Sequence, residues 1–501
     1  MSIKEVKNFL EYNKINIPFK TILVTGTNGK SSTSHLINLL LSKFCQELNI
    51  NFKIGLFSKP HILKINERIK INYNDITDYD FNYFIKKVNE LKGDINLNWF
   101  DELVLVSILY FLENKIDLGI FEIGIGGRND STNALNSIIN IITNIGLEHT
   151  DILGNTIKSI AYQKAGIIKD NSFTLTYATK GFKTIYKQAI EKKSVIFNLN
   201  DIFKINLLNV SIKSINSNDF NLNTANFVFE FVYFIKLISN SKVIKNLNSH
   251  VLKENKFLNN FFNNFYKILK MFFKDGIVIK FYNPYLVKNY LIAFLASILY
   301  LVLNGYIDLV IKYKDKLKKV FLDLSKRFNL MGRFNIIKIN NSFLLIDSAK
   351  DIIALEYILN LFFNRLYKIV DDNFLNNFKV SLVFSFSKGK DFNKFKNIYN
   401  IIYKNIDKVE NIYFLEHLIE LKSEKSSVIY KNFYDNLAKI SNNNSNILLK
   451  LKDLGKLSEN KIKDILQENN LIFVTGSIYF VANFLELINK NFSLMDSEMN
   501  L

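Results

Sequence analysis

The sequence predicts an α/β protein of two domains: a doubly wound parallel sheet with a phosphate-binding loop over residues 1–330, and a smaller Rossmann-like α/β domain over 331–501. Three observations predict it. Short β-branched runs alternate with helical patterns twice along the chain, as parallel strands joined by crossover helices require. A glycine-bearing turn ending in lysine follows the first strand. The 501 residues suit two to four domains, at roughly 100 to 200 residues each, with ample core.

Taken in order, Thr21–Val24 (TILV) reads as a strand, followed by the glycine turn and a helix from about Ser32 to Phe44. Lys53–Phe57 is the next strand, then a helix around Leu103–Leu112, then strands at Leu118–Phe121 and Ile138–Thr143. From Asp170 to Lys280 the chain is rich in Asn and Lys and poor in turn signals, and reads as variable surface structure or an insertion. Alternation resumes near Met331, with strands at Phe343–Ile346, Val380–Phe384, Asn411–Phe414 and Leu471–Val474. The boundary near Leu330 rests on that change of pattern, since no Pro- or Gly-rich linker marks it.

Composition narrows the class. With 48% hydrophobic and 22% charged residues the chain is neither disordered nor a membrane bundle. Its longest apolar run, Leu291–Leu303, falls short of the roughly 20 residues of a membrane span and reads as a buried helix. A single cysteine, Cys45, excludes an intramolecular disulfide, and the charged N-terminus lacks a signal peptide's apolar core, so a cytoplasmic protein is expected. The net charge of +19 would by itself indicate a nucleic-acid partner. Yet the excess Lys comes with 45 Phe, 24 Tyr and only 3 Pro, the residues that A- and T-rich codons favour and disfavour, and Lys is spread through every region. A biased genome accounts for it.

The chemistry gathers where strands end. Thr25-Gly26-Thr27-Asn28-Gly29-Lys30-Ser31-Ser32 lies between a strand and a helix, where successive backbone N–H groups and a helix N-terminus cradle phosphates. Lys30 adds a point charge and a serine hydroxyl is available to Mg²⁺. The general P-loop expression narrowly fails, because Val24 stands where it wants glycine. Glu122 ends the apolar strand Leu118–Phe121, at the edge where open α/β sheets bind ligands, and Gly124, Gly126 and Gly127 follow it. One strand later, Asn144-Ile145-Gly146-Leu147-Glu148-His149-Thr150 brings His149 to the same edge. Lys164, in QKAGIIK, carries no signal of its own.

These segments together resemble the folylpolyglutamate synthase and dihydrofolate synthase branch of the Mur ligase family. The matching runs are GTNGKSS, GLFSKPHILKINERIKIN (Gly55 to Asn72), FEIGIGGRNDSTN (Phe121 to Asn133), NIGLEHTDILG (Asn144 to Gly154) and QKAGIIK (Gln163 to Lys169). Later matches are Asn289, Met331-Gly332-Arg333-Phe334, Asp347 in LLIDSAK and Thr475-Gly476-Ser477-Ile478-Tyr479. The resemblance implies a Mur ligase-like fold and an ATP-dependent ligase. ATP would phosphorylate a carboxylate of dihydropteroate or a reduced folate, and the amine of L-glutamate would displace phosphate from the acyl phosphate.

By the same resemblance, Gly26, Thr27, Asn28, Gly29, Lys30, Ser31 and Ser32 hold the nucleotide phosphates, and Asn289, Arg333 and Asp347 contact ATP. Glu122 and His149 ligate Mg²⁺, and Lys164 matches a lysine carbamylated by CO₂ that holds a second Mg²⁺. Asp130, Ser131, Thr132 and Asn133 match the segment that contacts the pterin. Lys59 stands where the family has a metal-ligating serine, with Ser58 beside it; Lys350 replaces a histidine after Asp347, and Tyr285 another before Asn289. About twenty residues precede the first strand, so part of a substrate-side helix is expected to be missing. A monomer acting on small molecules, with neither nucleic acid nor membrane as partner, is the reading. Against it stand a ligase joining amino acids to UDP-linked muramic peptides, a degenerate ATP-binding relative and a basic nucleic-acid-binding protein.

Overall fold

A computed structural model describes residues 3–61, 64–215, 226–237, 256–281, 286–327, 333–339, 342–349, 351–370, 379–419, 423–468 and 471–492. The chain divides into two compact units, Met1–Leu208 with Val232–Phe328, and Asn209–Phe231 with Asn329–Leu501.

The first unit is built on an eight-stranded sheet of β1 (Lys20–Thr25), β2 (Ile54–Phe57), β3 (Ile69–Ile71), β4 (Asn74–Asp75), β5 (Leu118–Glu122), β6 (Ile139–Ile142), β7 (Phe173–Thr176) and β8 (Val195–Asn198), in the order β4-β3-β2-β5-β1-β6-β7-β8. The run β2-β5-β1-β6-β7-β8 is parallel, and β3 and β4 extend one edge antiparallel. Buried on both faces, parallel strands read as continuous apolar runs. TILV and LGIF do so.

Seven helices of this unit bear on the site: α1 (Ile3–Tyr12), α2 (Lys30–Glu47), α3 (Asp78–Leu91), α4 (Trp99–Glu113), α5 (Thr150–Leu153), α6 (Ile157–Ala165) and α7 (Phe182–Glu191). An eighth, α8 (Leu286–Leu303), packs along α2. α8 has the length and apolarity to cross a membrane, but 89% of it is buried inside the unit, as the sequence expects of a core helix. Phe57, Phe100, Phe111 and Phe121 join α4 to the sheet through tilted and edge-on ring contacts.

Two corrections to the sequence reading follow. Residues 170–198 are not variable surface: they hold β7, α7 and β8, the last strands of the main sheet. FTLT and VIFN are four-residue strands, too short for periodicity to announce. Residues 209–231, read as part of the first domain, group with the second unit, because Asn226 and Phe227 pair antiparallel with Ile337 and Ile336 there.

In the second unit β9 (Arg333–Ile339) runs antiparallel to β10 (Ser342–Asp347). Four strands continue in parallel in the order β10-β14-β11-β12-β13, where β11 is Val380–Phe384, β12 Val409–Glu416, β13 Leu451–Lys456 and β14 Leu471–Thr475. Met331, Gly332, Tyr285, Leu330 and Lys350 lie outside the described residues.

Candidate active site

Register brings the first group together. Val24 pairs with Glu122 and Thr25 with Ile142, so the turns after β1, β5 and β6 leave the sheet at one edge. The chain then needs a reversal tight enough to start α2. Gly26 (φ 147°) and Gly29 (φ 84°) supply it, in conformations that side chains resist. A Cβ on Gly26 would fall 1.7 Å from the Thr143 hydroxyl oxygen.

The loop is pinned from β6 and its following turn. Thr27 N–H donates to the Asn144 carbonyl (2.9 Å) and Asn28 N–H to the Asn144 side-chain oxygen (2.8 Å). Thr143 donates to the Asn28 carbonyl (2.7 Å), and the Gly146 amide to the Thr27 hydroxyl (2.9 Å). Gly29 C=O accepts the first helical bond, from Thr33 (2.9 Å), leaving the N–H groups at Lys30, Ser31 and Ser32 without intrahelical partners. That is an anion cradle. The Lys30 ammonium donates to the carbonyls of Gly26 (2.6 Å) and Thr27 (3.2 Å).

Glu122 faces this cradle and is 1% exposed. One carboxylate oxygen is 2.9 Å from the Ser31 hydroxyl, and the other accepts the Lys59 N–H (3.0 Å). Ser31 is also 2.8 Å from the Lys59 carbonyl, so its one proton has two acceptors. Burial pushes the Glu122 carboxyl above its usual range; Lys30, Lys59, the Lys59 amide and the Ser31 hydroxyl pull against it without cancelling it. The loop carrying Lys59 thus reaches Glu122 through its backbone, which any residue there supplies. Ser58 is buried beside it, its N–H on the Arg68 carbonyl (2.9 Å).

Lys164 forms a second group. It is 1% exposed, and its ammonium donates to Glu148 at 2.6 Å. His149 is exposed, in the left-handed region (φ 46°), at the start of the one-turn α5. Among the described residues no three His, Cys, Asp or Glu side chains cluster tightly enough to hold a metal by themselves. Glu122 with the Ser31 hydroxyl does provide hard oxygen donors beside a phosphate cradle. Mg²⁺ is commonly held that way, by one or two carboxylates plus substrate phosphates.

Asp130, Ser131, Thr132 and Asn133 are buried and their side chains are turned to the protein. Asp130 accepts from Ile125 N–H (2.9 Å) and from the Thr132 amide (3.1 Å) and hydroxyl (2.6 Å). Ser131 donates to Asp101 at the start of α4. Asn133 donates to the carbonyls of Arg128 and Gly166, both at 3.1 Å, tying the glycine loop after Glu122 to the end of α6, which bears Lys164. A Cβ on Gly127 would lie 2.9 Å from the Gln163 carbonyl, which explains the glycine.

Asn289, on α8, sits against the phosphate loop: a Cβ on Gly29 would be 2.5 Å from its side-chain oxygen. That oxygen accepts a 2.6 Å bond from Tyr177, which sequence reasoning missed along with Glu148 and Asp101. The one available signal was place, since Tyr177 directly follows β7 at the ligand-binding edge. In the second unit Asp347 is buried at the end of β10, paired in register with Arg333, whose side chain lies outside the described residues.

Residues 24–200, the span that carries this geometry, match the family described as the Mur ligase middle domain. That match spans 177 of the 501 residues. Among curated relatives, the dihydrofolate synthase/folylpolyglutamate synthase of Buchnera aphidicola (subspecies Baizongia pistaciae) is 34% identical over 188 residues, 36% of this chain and 42% of the relative. The Bacillus subtilis protein of that name is 38% identical over 167 residues, 31% and 37%. The chain thus covers less than half the length of these relatives. Two solved structures match it nearly end to end. Escherichia coli FolC in complex with DHPP and ADP has a TM-score of 0.67 at 18% identity, covering 98% of this chain and 94% of that one. Mycobacterium tuberculosis folylpolyglutamate synthase complexed with ADP and AMPPCP gives 0.65 at 14%, covering 98% and 95%. At such identities they establish the Mur ligase fold.

Proposed function

We propose that the chain is an ATP-dependent ligase that adds L-glutamate to dihydropteroate, to a reduced folate, or to both. The observation that carries this reading is the buried Glu122 bonded to Ser31 beside the Lys30 cradle. The names of the curated relatives, matched over this same region, supply the substrate class.

In this reading the amides at Lys30–Ser32 and the Lys30 ammonium, released from the Gly26 and Thr27 carbonyls, hold the β- and γ-phosphates. The acceptor carboxylate attacks the γ-phosphorus, giving an acyl phosphate and ADP. The glutamate amine then adds to the acyl carbon and phosphate departs, leaving the amide. Mg²⁺, held by Glu122 with the Ser31 hydroxyl, would supply charge neutralisation for the meeting of two anions. His149 is proposed as a further ligand. Carbamylation of Lys164 would turn its ion pair with Glu148 into two neighbouring anions, a pair suited to a second divalent ion. Ser58, whose backbone N–H bonds the Arg68 carbonyl, is proposed as a weaker additional ligand. Asp130 to Asn133 shape the wall against which the pterin is proposed to lie; Asn289, Arg333 and Asp347 are the proposed nucleotide contacts. A cytoplasmic monomer acting on small molecules, without nucleic acid or membrane, completes the proposal.

The test is direct. Purified protein with ATP, Mg²⁺, dihydropteroate and radiolabelled glutamate forms dihydrofolate, and with tetrahydrofolate forms longer conjugates. A folded, ATP-binding protein that incorporates no glutamate with either acceptor would sink the proposal.

A further inference from the structure

We propose that Tyr177 is a positioning residue for the nucleotide: its hydroxyl holds the Asn289 carboxamide against the Gly29 turn, where it can donate to a ligand. This deepens the function proposed above and rests on it. Tyr177 is buried, and its phenol donates to Asn289 Oδ1 at 2.6 Å. Both groups lie against the loop, since a Cβ on Gly29 would be 2.5 Å from Asn289 Oδ1 and 2.9 Å from both Asn289 Nδ2 and the phenol oxygen.

Tyr177 is itself held from behind. Asn200 donates to its backbone carbonyl (3.0 Å) while accepting from Lys288 (3.3 Å), whose ammonium stands 5.8 Å from the Tyr177 ring centre. The phenol also keeps its proton at working pH, because burial raises its pKa above the usual tyrosine value. A buried phenol bonded to Asn289 keeps that side chain from swinging off the loop. A site held by a locked supporting side chain binds more tightly than one left loose.

The experiment is calorimetric titration of ATP, with excess Mg²⁺, into the full chain and four variants. Tyr177→Phe, which removes only the hydroxyl, should weaken binding about 2–13-fold, the size of one hydrogen bond. Asn289→Ala should weaken it at least as much, and the double variant no further, because Tyr177 works through that amide. Asn289→Asp keeps an acceptor for Tyr177 and loses the donor, so it should bind as weakly as Asn289→Ala. Parental affinity in Tyr177→Phe, full additivity in the double variant, or parental affinity in Asn289→Asp would each overturn this role. A parent protein that binds no ATP would overturn the proposed function itself, so the two failures are distinguishable.

Discussion

Replacing Gly29 by alanine tests the phosphate loop where its geometry is tightest. The backbone there has φ 84° and ψ 1°, a left-handed conformation that costs an L-residue about 1–2 kcal/mol. The added methyl would lie 2.5 Å from Asn289 Oδ1 and 2.9 Å from both Asn289 Nδ2 and the Tyr177 hydroxyl. Both neighbours are buried, so overpacking adds about 1–3 kcal/mol. The sum, about 2–5 kcal/mol, is less than the roughly 5–15 kcal/mol stability of a typical domain, so the protein should still fold. Urea unfolding should show a lower midpoint at unchanged slope, and ATP titration a loss of binding. Adding Asn289→Ala removes two of the three clashing atoms and should recover about 1–2 kcal/mol relative to the sum of the single changes. A Gly29→Ala protein within about 0.5 kcal/mol of the parent, with ATP binding intact, would refute the loop conformation and the packing of Asn289 on it.

Other outcomes follow from the same geometry. Lys30→Ala should abolish turnover yet leave the melting temperature nearly unchanged, since among the described residues its ammonium bonds to two loop carbonyls; persistent activity would remove the loop from the mechanism. Glu122 has a folded pKa raised above its usual 4.5, so its stabilising effect is complete below that pH and fades as pH rises through the folded value. Glu122→Gln should therefore make the ligand-free protein at least as stable as the parent at pH 7, with the gap closing below pH 4.5; a less stable variant in a pH series of unfolding curves would contradict this. Ser131→Ala strips a donor from buried Asp101 and should cost about 1–3 kcal/mol by denaturation, whereas an unchanged midpoint would show that the bond is not formed. Lys164→Met leaves Glu148 without its ammonium and should cost about 3–5 kcal/mol, recovered in part by Glu148→Gln; no change in either would place the pair in water.

The fold was legible wherever burial on both faces forces an apolar run. TILV, LGIF, VSLVF and LIFV were each found within a residue or two of their strands, because a central parallel strand has no polar face to dilute the signal. Strands at or next to a sheet edge lack that constraint. Ile69–Ile71, Asn74–Asp75 and Leu451–Lys456 carry Lys, Asn and Asp on their exposed sides and escaped notice. So did β7 and β8, for shortness.

The site divides along a similar line. Lys30 and Glu122 were legible because a glycine turn after a strand and a carboxylate ending one have few structural uses besides ligand binding. Their supports were not, because each is defined by a partner distant in sequence: Ser131 for Asp101, Asn289 for Tyr177, Lys164 for Glu148. Sequence order cannot reveal that the turn after β5 meets the end of α6, yet two Asn133 bonds close that junction. The same bonds explain why Asp130 to Asn133 form a recognisable motif at all. A segment whose every polar side chain has a fixed internal partner tolerates little change, whether or not any of them touches a ligand. Motif strength there measures how firmly the loop after Glu122 must be held.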